Sequence, residues 1–229
     1  MKQYSVIIAA RSGSTRLPGK ALLPLKEVPM ITFLIRRLKT SEKVKKIILA
    51  TTELKTDDIL AKAAENEDIK VFRGNENDVV KRFVDTASIE KIEYVVRVTA
   101  DCPFVDGYTL DYCIDKCDQY GLFDLATTKT CFPVGIDFEI YNAITMEKLH
   151  NDHSLTKDER EHLTLPIYNR ADQFNILYIV PPDFWPKPIV ALTVDTRDDY
   201  YLAKKITGNF KDIYFSVESL LSYCSYEFD

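Results

Sequence analysis

The sequence predicts an α/β protein built as an open, three-layer arrangement around a mostly parallel sheet. Three observations carry that expectation. Short apolar runs recur along the 229-residue chain, amphipathic stretches fill the gaps between them, and several runs are apolar at consecutive positions rather than alternate ones. Strands covered on both faces need no polar side, and helices returning between parallel strands supply the two outer layers.

The strand candidates are SVIIAA (5–10), KIILATT (46–52), YVVRVTA (94–100), DLATT (124–128), FNILYIV (174–180) and IVALTV (189–194). MITFLIRRLKTS (30–41) places Ile31, Leu34, Ile35 and Leu38 on one helical face. TDDILAKAAEN (56–66) opens with a Thr cap candidate and acids in its first turn. NDVVKRFVDTAS (77–88), GYTLDYCIDKCDQYG (107–121, closing at Gly121) and DDYYLAKKIT (198–207) continue the helical series. Residues 129–187 are less regular. KTCFPVGIDFEIY reads as a loop plus an antiparallel strand, and NDHSLTKDEREHLTLPIYNR as a helical excursion, an insertion for an acceptor or a partner subunit.

Composition narrows the function classes. Thirty Lys+Arg against 35 Asp+Glu leave a net charge of −5, so no global basic field marks a nucleic-acid binder, and any phosphate chemistry is local. Five cysteines without paired spacing fit thiols in a reducing compartment. With no signal peptide and no membrane-length apolar run in view, the expectation is a cytoplasmic protein without membrane contact.

The densest chemistry follows the first strand candidate. In RSGSTRLPGK, Arg11, Arg16 and Lys20 lie among Ser12, Gly13, Ser14 and Gly19. Small residues let backbone N–H groups line an anion nest, and the three cations can neutralise a polyphosphate at a strand's carboxyl end. A solvated loop with scattered cations is the alternative. Walker A spacing fails, because five residues separate Gly13 from Gly19 and Ala21 follows Lys20; GxGxxG is also absent.

Two carboxylates complement the loop. Asp101 ends YVVRVTA and Asp195 ends IVALTV, so the strand reading brings both to one cleft, where hard magnesium would share them with substrate phosphates. Asp195 could instead cap the following helix. Thr51 and Thr52 end another strand and are candidates for base or ribose contact. Arg73, Gly74, Asp78 and Arg82 lie near a helix start that Asn77 could cap. Asp137 and Glu139 share a strand face, either solvated or lining an acceptor pocket. Glu159, Arg160, Glu161 and His162 form a surface charge run or an acceptor and interface group. Cys113 and Cys117, one helical turn apart, read as core.

AARSGSTRLPGKAL resembles the N-terminal signature of the sugar-acid cytidylyltransferases, in its Kdo-type STRLPGK form, and most of all the branch of spore coat polysaccharide biosynthesis protein F. VFRGNENDVVKRF, RVTADCPFVD, FPVGIDFEIY, EREHLT and LTVDTRDDY are similar to that branch's successive blocks, in order, so the likeness spans nearly the whole chain as a single domain, 1–229. The resemblance implies a fold of nucleotide-diphospho-sugar transferase type. It also implies transfer of CMP from CTP to an anionic acceptor such as a sugar acid, with pyrophosphate released and magnesium as cofactor, in surface polysaccharide synthesis by a homodimer. Arg11, Arg16, Lys20 and Asp101 would then be catalytic, and Asp101 and Asp195 metal-binding. Ala9, Ala10, Ser12, Gly13, Ser14, Thr51, Thr52, Arg73, Gly74, Asp78, Thr99 and Ala100 would join the loop cations around the nucleotide. Asp137, Glu139, Arg160, Glu161 and His162 would face the acceptor. Competing expectations are a nucleotidyltransferase using another triphosphate, a non-catalytic nucleotide-binding module, and a sugar transferase, although ADCPFVD lacks the DxD spacing of the last.

Overall fold

The computed structural model describes residues 2–187 and 189–228. Its strands are β1 (Tyr4–Ala9), β2 (Pro24–Leu25), β3 (Val28–Pro29), β4 (Val44–Thr52), β5 (Lys70–Gly74), β6 (Tyr94–Thr99), β7 (Leu125–Thr127), β8 (Glu139–Asn142) and β9 (Ile176–Tyr178). Seven of them form one sheet in the order β5-β4-β1-β6-β8-β7-β9, while β2 and β3 pair as a small hairpin. β1, β4, β5 and β6 run parallel; only β8 opposes its neighbours, β6 and β7. The mostly parallel sheet and the antiparallel strand within GIDFEIY are as the sequence predicts.

The helices are α1 (Met30–Leu38), α2 (Asp58–Glu65), α3 (Val79–Glu90), α4 (Gly107–Tyr120), α5 (Ala143–His150), α6 (Lys157–Glu161), α7 (Leu165–Asn169), α8 (Arg197–Gly208) and α9 (Val217–Phe228). They cover both sheet faces. Val6 and Ile8 of β1 join Ile31, Leu34 and Ile35 of α1, Leu60 of α2 and Cys113 and Cys117 of α4. Ile7 faces the other way, with Val80 and Phe83 of α3 and Met146 and Leu149 of α5. This double burial is why β1 is apolar at consecutive positions.

A third apolar cluster joins Met30 and Phe33 of α1 to α8 and α9. Arg37 ties that cluster down. Its buried guanidinium donates to the carbonyls of Phe104, Ile213 and Phe215 and lies 3.6 Å from Asp106.

Three local readings need correction. IVALTV makes no strand: 189–194 lie outside the sheet, and Leu192 and Val194 are buried in the third cluster instead. Apolar content there serves packing between the β6 end and α8, not a ladder. Asn77 does not cap α3. Asp78 does, accepting from Lys81 N at 2.8 Å, while Asn75 accepts from the N–H groups of Asn77 and Asp78. Thr56 does not cap α2, which is entered through a short 3₁₀ turn, Lys55–Asp57.

Candidate active site

The carboxyl ends of β1 and β6 open into a cavity of about 410 Å³. The loop after β1 forms one wall. It folds back on Ser12, whose carbonyl accepts from Ser14 N (2.9 Å) and Gly19 N (3.2 Å). Leu17 drops into the third apolar cluster, and Gly19 takes the left-handed conformation that starts the 3₁₀ turn Lys20–Leu22. That turn aims Lys20 inward, leaving its side chain only 14% exposed.

Lys20 Nζ bridges the two aspartates, 3.0 Å from Asp101 Oδ2 and 2.7 Å from Asp195 Oδ1. Arg16 reaches the other oxygen of Asp195 at 3.0 Å. The aspartates converge without a shared strand pairing, because Val194 N donates to Asp101 O at 2.8 Å. Gly135 makes room for this: Leu192 N bonds Val134 O, and a Cβ on Gly135 would lie 2.3 Å from the Leu192 backbone. Asp195 is not a helix cap. Thr196 caps α8 in a capping box with Asp199.

The charges reinforce each other. Burial works against the ammonium of Lys20, but Asp101 and Asp195 outweigh it and hold the pKa above the ordinary lysine value. Burial likewise pushes Asp101 up, yet the Lys20 charge and a hydrogen bond from Thr99 bring its carboxyl below the ordinary range. The donor set suits a hard divalent cation sharing oxygens with a phosphate. Two carboxylates alone make an open shell, and no group of three His, Cys, Asp or Glu side chains with metal-holding geometry occurs among the described residues.

Of the sequence candidates, Ala9, Ala10, Arg11, Gly13, Ser14, Arg16, Lys20, Arg82, Thr99, Ala100, Asp101, Glu161, His162 and Asp195 line the cavity. Arg11 stands 3.6 Å from Glu161 and 3.9 Å from Glu76. Others are turned to different work. Ser12 gives both its N–H (2.8 Å) and its hydroxyl to Asp57, and its hydroxyl also contacts Thr56 O. With Ser14 N on Ser12 O as well, the expected nest of inward N–H groups is partly spent inside the protein. Thr51 and Thr52 are buried and donate their hydroxyls to Asp57 at 3.0 and 2.5 Å. Arg73 binds Thr52 O, Leu54 O and Asp58 rather than the cavity.

Gly74 leaves space for Phe72 and Arg82, which a Cβ would approach to 3.0 and 3.2 Å. Asp78 caps α3 and meets Arg160 at 3.5 Å, so neither lines the cavity. Asp137 accepts from Gly135 N within its own turn. Glu139 is not on a solvated face but fully buried, paired with Arg97 (2.9 Å) and Lys129 (3.0 Å).

Asp57 and Arg97 are site residues that the sequence reading leaves out. Asp57 anchors the loop at Ser12 and joins it to the end of β4. Arg97 lines the cavity along with Thr15, Ala21, Val79 and Arg82. Its signal was the single cation inside the apolar run YVVRVTA.

The same architecture occurs in known proteins. The chain is 34% identical over 213 residues to spore coat polysaccharide biosynthesis protein SpsF of Bacillus subtilis, covering 90% of this chain and 87% of that one. A solved cytidylyltransferase from Leptospira borgpetersenii superimposes with a TM-score of 0.90 at 31% identity, covering 97% and 94% of the two chains. A CMP:2-keto-3-deoxy-manno-octonic acid synthetase complexed with CTP shares the fold at a TM-score of 0.68 and 17% identity, covering 90% and 99%. Residues 5–214, which carry the cavity and, Tyr4 apart, the whole sheet, match the family model described as cytidylyltransferase. The chain therefore belongs to the cytidylyltransferase family and is a nucleotidyltransferase.

Proposed function

We propose that the protein is a CTP-dependent cytidylyltransferase that activates a sugar acid or similar anionic acceptor as its CMP derivative, releasing pyrophosphate, for surface polysaccharide synthesis. The observation that carries this reading is Lys20 bridging Asp101 and Asp195 at a cavity walled by Arg11, Arg16 and the small residues of one loop. The names of the relatives supply the rest: a polysaccharide biosynthesis protein in one case, and in another a synthetase that holds CTP and acts on an octonic acid.

Little covalent help is needed for nucleotidyl transfer, so positioning and charge neutralisation dominate. Asp101 and Asp195 would hold magnesium, which when bound lowers the cost of charge on phosphate and acceptor oxygens. Arg11 and Arg16 draw in the triphosphate, and Lys20 neutralises charge growing on the departing pyrophosphate. Ala9, Ala10 and Ala100 allow the nucleoside to approach the β1 and β6 ends closely.

The chain acts as a single domain, a homodimer in the cytoplasm, with the 129–187 segment serving the acceptor and the partner. Val134, Tyr178, Val180 and Phe184 of that segment leave large apolar side chains exposed, which favours a covered face there. No described helix is long and apolar enough to cross a membrane.

Thermal-shift titration with CTP, UTP, GTP and ATP in magnesium tests the nucleotide side. CTP should raise the midpoint most, by mass action on the folded state. Equal shifts with all four, or preference for another nucleotide, would contradict CTP as the substrate.

A further inference from the structure

Arg97 sits at the centre of β6, beside Ile7 of β1 and directly opposite Glu139 of β8. It is deeper in the sheet than Asp101 and lies on the β6–β8 side of the cavity. Loop cations and paired aspartates serve the mouth; Arg97 serves the floor. Its guanidinium is only half used. Nη1 donates to Glu139 at 2.9 Å, while Nε is buried with no hydrogen-bond partner. Nε is closed off inside the protein, but the side chain keeps 19% of its surface exposed and lines the cavity, so the exposed part of the guanidinium is what a ligand oxygen would meet.

Glu139 explains why the cation stays there. It is fully buried and gathers Arg97, Lys129, the hydroxyl of Thr164 and the hydroxyl of Tyr168 around one carboxylate. Burial alone would raise its pKa, but Arg97 and Lys129 hold it below the ordinary value, so it remains an anion. The four partners come from β6, the loop after β7, and the segment entering and forming α7. One carboxylate therefore links a cavity cation to the irregular 129–187 region.

We propose that Arg97 recognises the anionic group of the acceptor and that Glu139, which does not line the cavity, positions it. This rests on the reading of the protein as a cytidylyltransferase with an acidic acceptor. A carboxylate is the chemistry that matches a guanidinium edge fixed in a partly desolvated floor. The nucleotide phosphates have Arg11, Arg16 and Lys20 on the loop; of the two other arginines that line the cavity, Arg82 reaches in from α3 and donates to Asn75 O, and Arg97 is the one on the strand paired with β8.

The test uses the full-length enzyme with CTP, magnesium and a panel of 2-keto-3-deoxy sugar acids, each beside its neutral amide, with pyrophosphate release as the readout. Arg97→Met takes away one of the two cations that hold Glu139, so the double variant Arg97→Met/Glu139→Gln, which removes both charges, is measured with it. Expected results are an acceptor KM raised at least about tenfold in Glu139→Gln and Arg97→Met, CTP KM changed less than about twofold, and a double variant no worse than Arg97→Met. Arg97→Lys should recover part of the loss. Equal rises in both KM values would overturn the proposal in favour of a merely structural role. Turnover of neutral amides as well as acids would overturn it while leaving CTP transfer intact. If the wild type binds CTP but turns over no acid, the acidic-acceptor reading falls and the proposal falls with it.

Discussion

Lys20 and Asp195, 175 positions apart in the chain, meet at 2.7 Å across the mouth of the cavity. The same ammonium holds Asp101 at 3.0 Å. One cation thus keeps two carboxylates together that would otherwise repel. The pair is the point where loop, sheet end and C-terminal helices are joined.

This arrangement sets a pH dependence. The Asp101 carboxyl is held below its ordinary value of 3.8, so its stabilising contribution is present above that value and is lost as pH falls through the lower folded value. Lys20 is held above its ordinary 10.5, so its contribution is complete below that value and is lost as pH rises through the higher folded one. Lys20→Met should lessen the alkaline loss, to which other groups held above their ordinary values such as Lys43 and Tyr4 also contribute, and soften the acid one. Urea midpoints from about pH 3 to about pH 11 check this; identical profiles for variant and wild type would refute the ion-pair account.

Asp57 should matter more than its place at the start of a helix suggests. It is buried and accepts from Ser12, Thr51 and Thr52. Asn at this position has one acceptor oxygen in place of two, and its N–H₂ cannot accept from the backbone N–H groups or from the hydroxyls that now donate to Asp57. Asp57→Asn is expected to destabilise by about 1–3 kcal/mol in chemical denaturation and, by freeing the loop, to raise the KM for CTP. Wild-type values for both would show that the loop is held elsewhere.

Gly135 is a stability position with a functional consequence. Its φ of +95° is strained for any other residue, and a Cβ there would press on the Leu192 backbone at 2.3 Å. Gly135→Ala should cost about 1–3 kcal/mol and displace the segment that carries Asp195. Calorimetry and pyrophosphate release measured together check this, because both should fall. Unchanged activity would mean that Asp195 is set by α8 rather than by the Leu192 contact.

Much of this was legible in the sequence where local chemistry decides. SVIIAA is apolar throughout because both faces of β1 are covered, and the loop after it stands out by its cations and glycines. Asp101 was readable from its place at the end of β6. Asp195 was found for a partly mistaken reason: IVALTV looked like a strand, yet two isolated backbone bonds and burial of Leu192 and Val194 position it instead. Thr51, Thr52 and Ser12 look like ligand-binding hydroxyls until Asp57, which receives all three, is in view. Glu139 reads as either solvated or lining an acceptor pocket, because alternation with apolar neighbours marks only a strand with one polar face. No local pattern announces that Arg97 will face it across β6 and β8.

The most direct measurement is pyrophosphate release from CTP by Asp101→Asn, with a sugar-acid acceptor and magnesium and a wild-type control that turns over. Asn keeps the shape but withdraws one of the two carboxylates that Lys20 brings together. The expected result is a loss of at least about 10²-fold in kcat with a folded protein by circular dichroism. Undiminished release by a folded Asp101→Asn would contradict the assignment of this aspartate pair as the centre of the reaction.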